Sequence, residues 1–230
     1  MTRGDGRGPG ELRPVDIKGG VNPYAEGSAI CLFGRTQLLC TASVEPGAPP
    51  FLEGAGQGWV TAEYAMLPRS THTRTGRDHQ RGGRAQEISR LIGRSLRAAT
   101  DLPGLEGYTI RVDCDVMVAD GGTRTAAISG GYVALALALR GLGLKPARQL
   151  CALSVGKLDG HLVVDLSYDE DSRAQVDLNL VMAPAGELVE VQGTAEDGLF
   201  SRQELMQMVD MALTASQAVF AAQNQALQGQ

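Results

Sequence analysis

The stretch Asp120-Gly121-Gly122-Thr123-Arg124-Thr125 leads directly into a run of small and apolar residues, 126–139, that predicts a helix. Paired glycines let the backbone come close to a ligand. The N–H groups and the positive dipole end at a helix start favour an anion, and an arginine adds a planar fork that fits phosphate. The stretch therefore predicts a phosphate site. The alternative is a tight turn capped by Thr123.

Strand patterns flank this helix on both sides. Candidate strands cover 28–33, 37–44, 59–67, 108–118, 150–157, 161–166, 176–182 and 188–196. Apolar residues at helical spacing predict an amphipathic helix over 84–100, and a capping box at Ser201 and Glu204 starts a final helix. We therefore expect an α+β fold with mixed or antiparallel sheets and about three main helices.

Glycine pairs predict local packing and turns, and the absence of a flexible linker predicts the domain organisation. Gly130-Gly131 inside the central helix predicts close packing against a strand or another helix, and Asp159-Gly160 predicts a two-residue hairpin turn. Without a clean linker, we expect one domain over 1–230, with an N-terminal arm at 1–14 and a C-terminal helix at 201–230.

Composition narrows the class of protein. With 230 residues, of which 43% are hydrophobic, the chain can bury a sizeable core. The N-terminus lacks the apolar core of a signal peptide, and the longest apolar run, 132–139, is shorter than the roughly 20 residues of a membrane span. We expect a cytoplasmic protein without a membrane partner. The four cysteines form no C-x-x-C pair, which favours free buried thiols.

The charge distribution is uneven. The chain carries −5 in total, but in segment 69–97 eight arginines stand against only Asp78 and Glu87, a local charge of +6. These arginines are residues 69, 74, 77, 81, 84, 90, 94 and 97. A basic segment on an acidic body is typical of a polyanion-binding surface. A solvated helix face is the alternative for Arg90, Arg94 and Arg97.

A second candidate anion site is Gly82-Gly83-Arg84, where paired glycines and an arginine again precede a helix. Two such sites are more informative than one, because a pentavalent phosphorus centre needs its charge offset from more than one side.

Four acidic residues, Asp169, Glu170, Asp171 and Asp177, form the third constellation. Carboxylates hold Mg²⁺ or act as general acids. A fully extended chain would separate Asp171 from Asp177 by about 20 Å. They can therefore converge only if the chain bends near Ser172-Arg173. For Asp169 and Glu170 we expect a solvated acidic turn.

Taken together, the motifs resemble those of the bacterial ribonuclease PH family, the phosphorolytic 3′-to-5′ exoribonucleases. The matching stretches, which span nearly the whole chain, include 12–15, 25–28, 39–44, 56–64, 66–74, 91–98, 113–116, 119–125 and 190–196. The resemblance implies that inorganic phosphate attacks the last phosphodiester of an RNA 3′ end and releases a nucleoside 5′-diphosphate. It also implies the fold shared with exosome core subunits (ribosomal protein S5 domain 2-like) and a homohexamer built as a trimer of dimers. The implied substrates are 3′ ends of tRNA precursors, rRNA and other RNA.

The resemblance assigns roles residue by residue. Arg84 and Gly122-Thr123-Arg124 bind the attacking phosphate, and Arg84 and Arg124 are also catalytic. Asp171 and Asp177 match acidic residues linked to a divalent cation, Mg²⁺ or another, and to protonation of the leaving group. Arg69, Arg74 and Arg77 match loop arginines associated with RNA binding and subunit contacts. From the basic segment we also expect Arg90, Arg94 and Arg97 to bind RNA.

Two other functions stay open. A non-catalytic RNA-binding ring subunit of the exosome-core type would keep the basic segment, but the presence of Arg84, Arg124, Asp171 and Asp177 argues against it. A small-molecule phosphate enzyme would not need the basic segment.

Overall fold

The computed structural model describes residues 3–77 and 82–229. In these residues, two β-sheets pack with four helices, three of which are long. The α+β fold with mixed and antiparallel sheets and about three main helices is confirmed.

The first sheet has five strands in the order β1-β2-β3-β5-β4. They are β1 (Val15–Gly19), β2 (Gly27–Phe33), β3 (Thr36–Pro46), β4 (Trp59–Met66) and β5 (Tyr108–Val118). Neighbouring strands are antiparallel except β4 and β5, which are parallel. A parallel pair needs a crossover connection, and α1 (Gly83–Ala98) lies in this one and packs against β4.

The second sheet has four antiparallel strands in the order β7-β6-β8-β9. They are β6 (Cys151–Leu158), β7 (His161–Val164), β8 (Val176–Met182) and β9 (Leu188–Ala195). Asp159 and Gly160 join β6 to β7 with φ values of 48° and 76°, so the predicted hairpin turn is confirmed.

Helix α2 (Thr123–Gly141) lies between the two sheets and contacts β2, β3 and β6. Most of its side chains are buried, which explains why its sequence is apolar on all sides. A Cβ at Gly130 would lie 2.7 Å from the Cβ of Cys31, so glycine is needed for this contact, as predicted. All four cysteines are buried and free, which confirms that prediction.

The C-terminal helix α4 (Arg202–Gln228) packs on β1, β6 and β7. Its start has the predicted capping box, in which the Glu204 N–H donates to the Ser201 hydroxyl and the Ser201 N–H donates to the Glu204 carboxylate. Within residues 3–77 and 82–229, the helices are too short or too polar to cross a membrane.

The connection between β7 and β8 differs from the expectation. It contains a short helix, α3 (Tyr168–Asp171), in place of an acidic turn. Asp169 is solvated as expected, but the prediction for Glu170 was wrong: it is only 4% exposed and pairs with Arg3. A carboxylate can be buried in this way because a cation and hydrogen bonds replace its water.

Candidate active site

A cleft of about 320 Å³ opens where the start of α2 meets the second sheet. Residues from both predicted anion sites and from the carboxylate pair line it: Arg84, Gly122, Thr123, Arg124, Asp171 and Asp177. The fold thus gathers side chains that lie up to 93 positions apart in the sequence.

The turn before α2 has a conformation that favours glycine. Gly121 and Gly122 have φ values of 76° and 67°, in the left-handed region. A Cβ at Gly121 would lie 2.4 Å from the carbonyl oxygen of Leu166, so this residue also needs to be small. The helix begins at Thr123, and helix geometry leaves its first N–H groups without intrahelical acceptors. They are suited to bind an anion in the cleft.

Tyr64 supports this turn from the first sheet. Its hydroxyl lies 2.8 Å from the hydroxyl of Thr123. Burial raises the pKa of Tyr64, while the hydrogen bond to Thr123 and the positive charges of Arg84 and Arg124 act in the opposite direction. Tyr64 therefore remains a neutral phenol that can donate a hydrogen bond. Sequence reasoning assigned it no role, because its spacing on β4 is that of a core residue.

The two site arginines come from the starts of two helices. Arg84 is the second residue of α1 and is exposed, and Arg124 is the second residue of α2 and is half-buried. Arg124 donates to the side chain of Gln192 at 3.4 Å, and Gln192 in turn donates to Glu87 on α1 at 2.9 Å. A side-chain bridge through β9 thus connects the two helices.

Asp171 and Asp177 both line the cleft. Asp171 ends α3, the chain turns at residues 172–175, and Asp177 follows on β8. The Ala174 N–H donates to the Asp171 carbonyl at 3.2 Å within this turn. The predicted bend near Ser172-Arg173 is confirmed.

The carboxylates influence each other's ionisation. Burial raises the pKa of Asp177, and the negative charge of Asp171 raises it further, while Arg124 lowers it. Burial also raises the pKa of Asp171 against the opposing charges of Arg124 and Arg84. The Asn179 amide donates to both oxygens of Asp177, at 3.2 and 3.1 Å. Its position two residues along the same strand was the signal that sequence reasoning did not use.

The Asp171 and Asp177 carboxylates fit a divalent cation that is also bound by oxygens of the substrate. Within the described part of the chain, no group of three or more His, Cys, Asp or Glu side chains could hold a metal ion. Mg²⁺ is commonly bound by one or two carboxylates together with substrate phosphates and water. Asp171 and Asp177 provide such a pair beside the proposed phosphate site.

The predicted RNA-binding arginines fall into two groups. Arg69, Arg74 and Arg77 are exposed in the loop whose residues Thr71 and His72 line the cleft.

The second group lies on α1. Arg90 is exposed, whereas Arg94 pairs with Glu190 at 2.7 Å. Arg97 donates to the Val60 carbonyl at 2.9 Å and stacks 4.3 Å from the centre of the Trp59 ring. Neither Arg94 nor Arg97 lines the cleft. Arg81 lies outside the described residues.

The sequence matches two domain models of one protein family. Residues 11–140 match the model described as 3′ exoribonuclease family, domain 1, and residues 149–215 match domain 2 of the same family. The chain belongs to the 3′ exoribonuclease family.

Curated relatives define the branch. The chain is 53% identical over 237 residues to ribonuclease PH of Mycobacterium leprae, covering 98% of this chain and 92% of the relative. It is 53% identical to that of Moorella thermoacetica, covering 99% and 95%, and 54% identical to that of Bdellovibrio bacteriovorus, covering 95% and 93%. Within the class, the chain is a member of the ribonuclease PH family, which confirms the resemblance. This membership makes it a phosphorolytic 3′-to-5′ exoribonuclease, a tRNA nucleotidyltransferase.

Solved structures agree on the fold. Rice Rrp46 has a TM-score of 0.83 at 23% identity, covering 98% of this chain and 100% of that chain. A chain of the Archaeoglobus fulgidus exosome with RNA bound to the active site also has a TM-score of 0.83, at 22% identity, covering 95% and 91%. At this identity the likeness shows the fold alone.

Proposed function

We propose that the cleft is where inorganic phosphate attacks the last phosphodiester of an RNA 3′ end, and that the residues gathered there carry the reaction. The observation that supports this most strongly is the convergence of Arg84, Arg124 and the start of α2 with Asp171 and Asp177 in one cleft. An anionic nucleophile and an anionic substrate repel each other, so the site needs positive charge on one side and a proton or cation on the other.

Each group has a defined role in this proposal. The N–H groups at the start of α2, the Thr123 hydroxyl and the forks of Arg84 and Arg124 bind and orient phosphate. An oxygen of this phosphate forms a bond to the terminal phosphorus as the bond from that phosphorus to the preceding O3′ breaks. The products are a nucleoside 5′-diphosphate and an RNA one nucleotide shorter, whose O3′ takes up a proton.

Asp171 and Asp177 serve the leaving-group side. Their raised pKa values favour a carboxyl that can deliver the proton to O3′. In their ionised form the same two side chains would hold Mg²⁺, with Asn179 orienting Asp177. When bound, this cation supplies charge stabilisation for the phosphoryl oxygens.

The remaining parts of the proposal concern RNA and assembly. The exposed Arg69, Arg74 and Arg77 contact the RNA backbone, which suits an enzyme that trims many 3′ ends, including tRNA precursors and rRNA. We also propose a homohexamer built as a trimer of dimers. The proposed location is the cytoplasm, and four free thiols are consistent with a reducing compartment.

The test uses an RNA with a short unpaired 3′ tail and Mg²⁺, with and without phosphate. We expect nucleoside diphosphates that form only when phosphate is present. Monophosphates released by water would contradict the phosphate role. Binding without shortening would instead favour a non-catalytic ring subunit.

A variant pair links the activity to the cleft. Arg124→Ala should lower the turnover number by about 10²–10³-fold while RNA binding persists, because it removes a charge at the reacting phosphate. Arg148→Ala is the matched control, since Arg148 is exposed and lies outside the cleft lining. Equal activity in the two variants would remove Arg124 from the mechanism.

A further inference from the structure

The N-terminal arm carries three arginines that are unusually buried. Arg3, Arg7 and Arg13 are 3%, 9% and 5% exposed. Arginine is normally at the surface, and a buried charge persists only with well-placed partners. Their main carboxylate partners are Asp165, in the connection between β7 and α3, and Glu170, in α3, and Arg7 also pairs with Asp5. Asp165 and Glu170 lie on the segment that ends at Asp171 in the cleft.

Arg13 joins this connection to the phosphate turn. Its guanidinium forms a fork with Asp165, with Nη2 2.6 Å from Oδ1 and Nε 3.0 Å from Oδ2. The same guanidinium donates to the carbonyl of Asp120 and, at 3.4 Å, to the carbonyl of Gly121. One side chain therefore holds the backbone immediately before Gly122 and Thr123.

The backbone at Asp165, whose carboxylate pairs with Arg13, has an unfavourable conformation. Asp165 has a φ of 53°, in the left-handed region that residues with a Cβ rarely adopt. Its carbonyl accepts hydrogen bonds from Arg3 at 2.9 Å and from Arg7 at 3.0 Å. The backbone of Gly121 is also in the left-handed region, and it lies so close to the Leu166 carbonyl that a Cβ would not fit. Arg13 contacts both of these segments, whereas Arg3 and Arg7 contact Asp165.

Arg3 acts on the carboxylate side of the cleft. It forms a second fork with Glu170, with Nε 2.6 Å from Oε1 and Nη2 2.5 Å from Oε2. Glu170 also accepts from the Ser167 N–H at 2.9 Å and so caps α3. Because Asp171 is the next residue, the orientation of α3 sets where its carboxylate lies.

We propose that the arm is a positioning element of the reaction. Arg13, through Asp165, holds the Gly121-Gly122 turn in its phosphate-binding conformation, and Arg3, through Glu170, holds Asp171 against the opposite wall. The proposal rests on the proposed function of the cleft. Neither arginine lines the cleft, so they act through backbone and carboxylate partners and not on the substrate.

The two forks have separable consequences. Loosening the Arg13 fork displaces the phosphate turn and should raise the KM for phosphate, while the KM for RNA stays unchanged because the loop arginines are untouched. Loosening the Arg3 fork displaces Asp171 and should raise the Mg²⁺ concentration needed for half-maximal rate. A general loss of stability would not affect the phosphate dependence in one variant and the Mg²⁺ dependence in the other.

The experiment titrates phosphate, Mg²⁺ and RNA separately for Arg13→Lys and Arg3→Lys, well below each unfolding midpoint. Lysine keeps the charge and loses the fork. We expect Arg13→Lys to raise the KM for phosphate about tenfold or more, since small misplacements of a site are costly, and Arg3→Lys to shift chiefly the Mg²⁺ dependence. Should Arg13→Lys not fold, the isosteric Asp165→Asn tests the same fork.

The control is Arg35→Gln. Arg35 pairs with the Asp120 side chain at 3.1 Å from the solvent side, with its own side chain 75% exposed, so its loss should leave all three constants within about twofold. A folded Arg13→Lys or Asp165→Asn with the wild-type KM for phosphate would overturn the proposal. Arg124→Ala, measured in parallel, tests the proposed phosphate site separately from the arm. If the phosphate dependence of Arg124→Ala is also unchanged, the proposed phosphate site itself is wrong.

Discussion

The Tyr64 hydroxyl on β4 lies 2.8 Å from the Thr123 hydroxyl at the first position of α2. This bond connects the first sheet to the turn that is proposed to bind phosphate. If Tyr64 donates, the Thr123 hydroxyl hydrogen is left to point at an anion. The bond therefore orients a group that a strand-to-helix turn would otherwise leave free to rotate.

Tyr64→Phe should weaken phosphate binding and leave the fold intact. Loss of one hydrogen bond costs about 1 kcal/mol, so we expect the KM for phosphate to rise about fivefold. Steady-state phosphorolysis over a range of phosphate concentrations measures this change. Tyr24→Phe is the control, because Tyr24 is 93% exposed. An equal effect of both variants would show that the bond to Thr123 is not the cause.

Asp177→Asn should stabilise the metal-free protein while abolishing most activity. A carboxyl with a raised pKa binds its proton more tightly in the folded chain, so stability falls as pH rises from about the ordinary 3.8 through the raised value. That cost is present at neutral pH, and asparagine removes it. We expect a higher unfolding midpoint in EDTA at pH 7 and a turnover number about 10²-fold lower.

Two further observations check the Asp177 prediction. The stability gain of Asp177→Asn should disappear near pH 3, where the wild-type carboxyl is protonated. Adding Mg²⁺ should raise the midpoint of the wild type more than that of the variant. A variant less stable than the wild type at pH 7 would contradict the assigned direction of the pKa shift.

The two groups of predicted RNA-binding arginines should differ in salt dependence. Replacing Arg69, Arg74 and Arg77 together by alanine should reduce the slope of log K against log salt by about 2, at roughly 0.7 per lost phosphate contact on single strands. Arg94→Ala should change it little, because Glu190 already pairs with Arg94. Binding measured across a salt series decides this, and a wild-type slope for the triple variant would show that these loop arginines do not contact RNA.

Neighbouring glycines in α2 should respond oppositely to alanine. A Cβ at Gly130 would lie 2.7 Å from the Cβ of Cys31, and overpacking of about 1–3 kcal/mol should outweigh the gain in helix propensity. At Gly131 the nearest atom would be 3.5 Å away, so Gly131→Ala should stabilise by up to about 1 kcal/mol. Urea unfolding of both variants measures these changes in stability. A Gly130→Ala variant as stable as the wild type would contradict the tight contact with Cys31.

Most strands and the long helices could be predicted because their signals are local. Alternation along β5, the spacing of apolar residues in α1 and the capping box before α4 each depend on a few neighbouring residues. Gly121, Gly122, Arg84 and Arg124 were also predictable, since glycine pairs before helices are recognisable without a partner.

What the chain alone did not reveal depends on contacts between distant residues. Glu170 reads as a solvated acidic residue until Arg3, 167 positions away, is placed beside it. Tyr64 has core-like spacing, and its role emerges only when Thr123, 59 positions away, lies within hydrogen-bonding distance. Local patterns thus predicted the elements, the two candidate anion-binding turns and the resemblance to a family. The convergence of Asp171 and Asp177, and the buried arm that supports both walls of the cleft, follow from packing, because the partners of a buried charge are chosen by proximity in space.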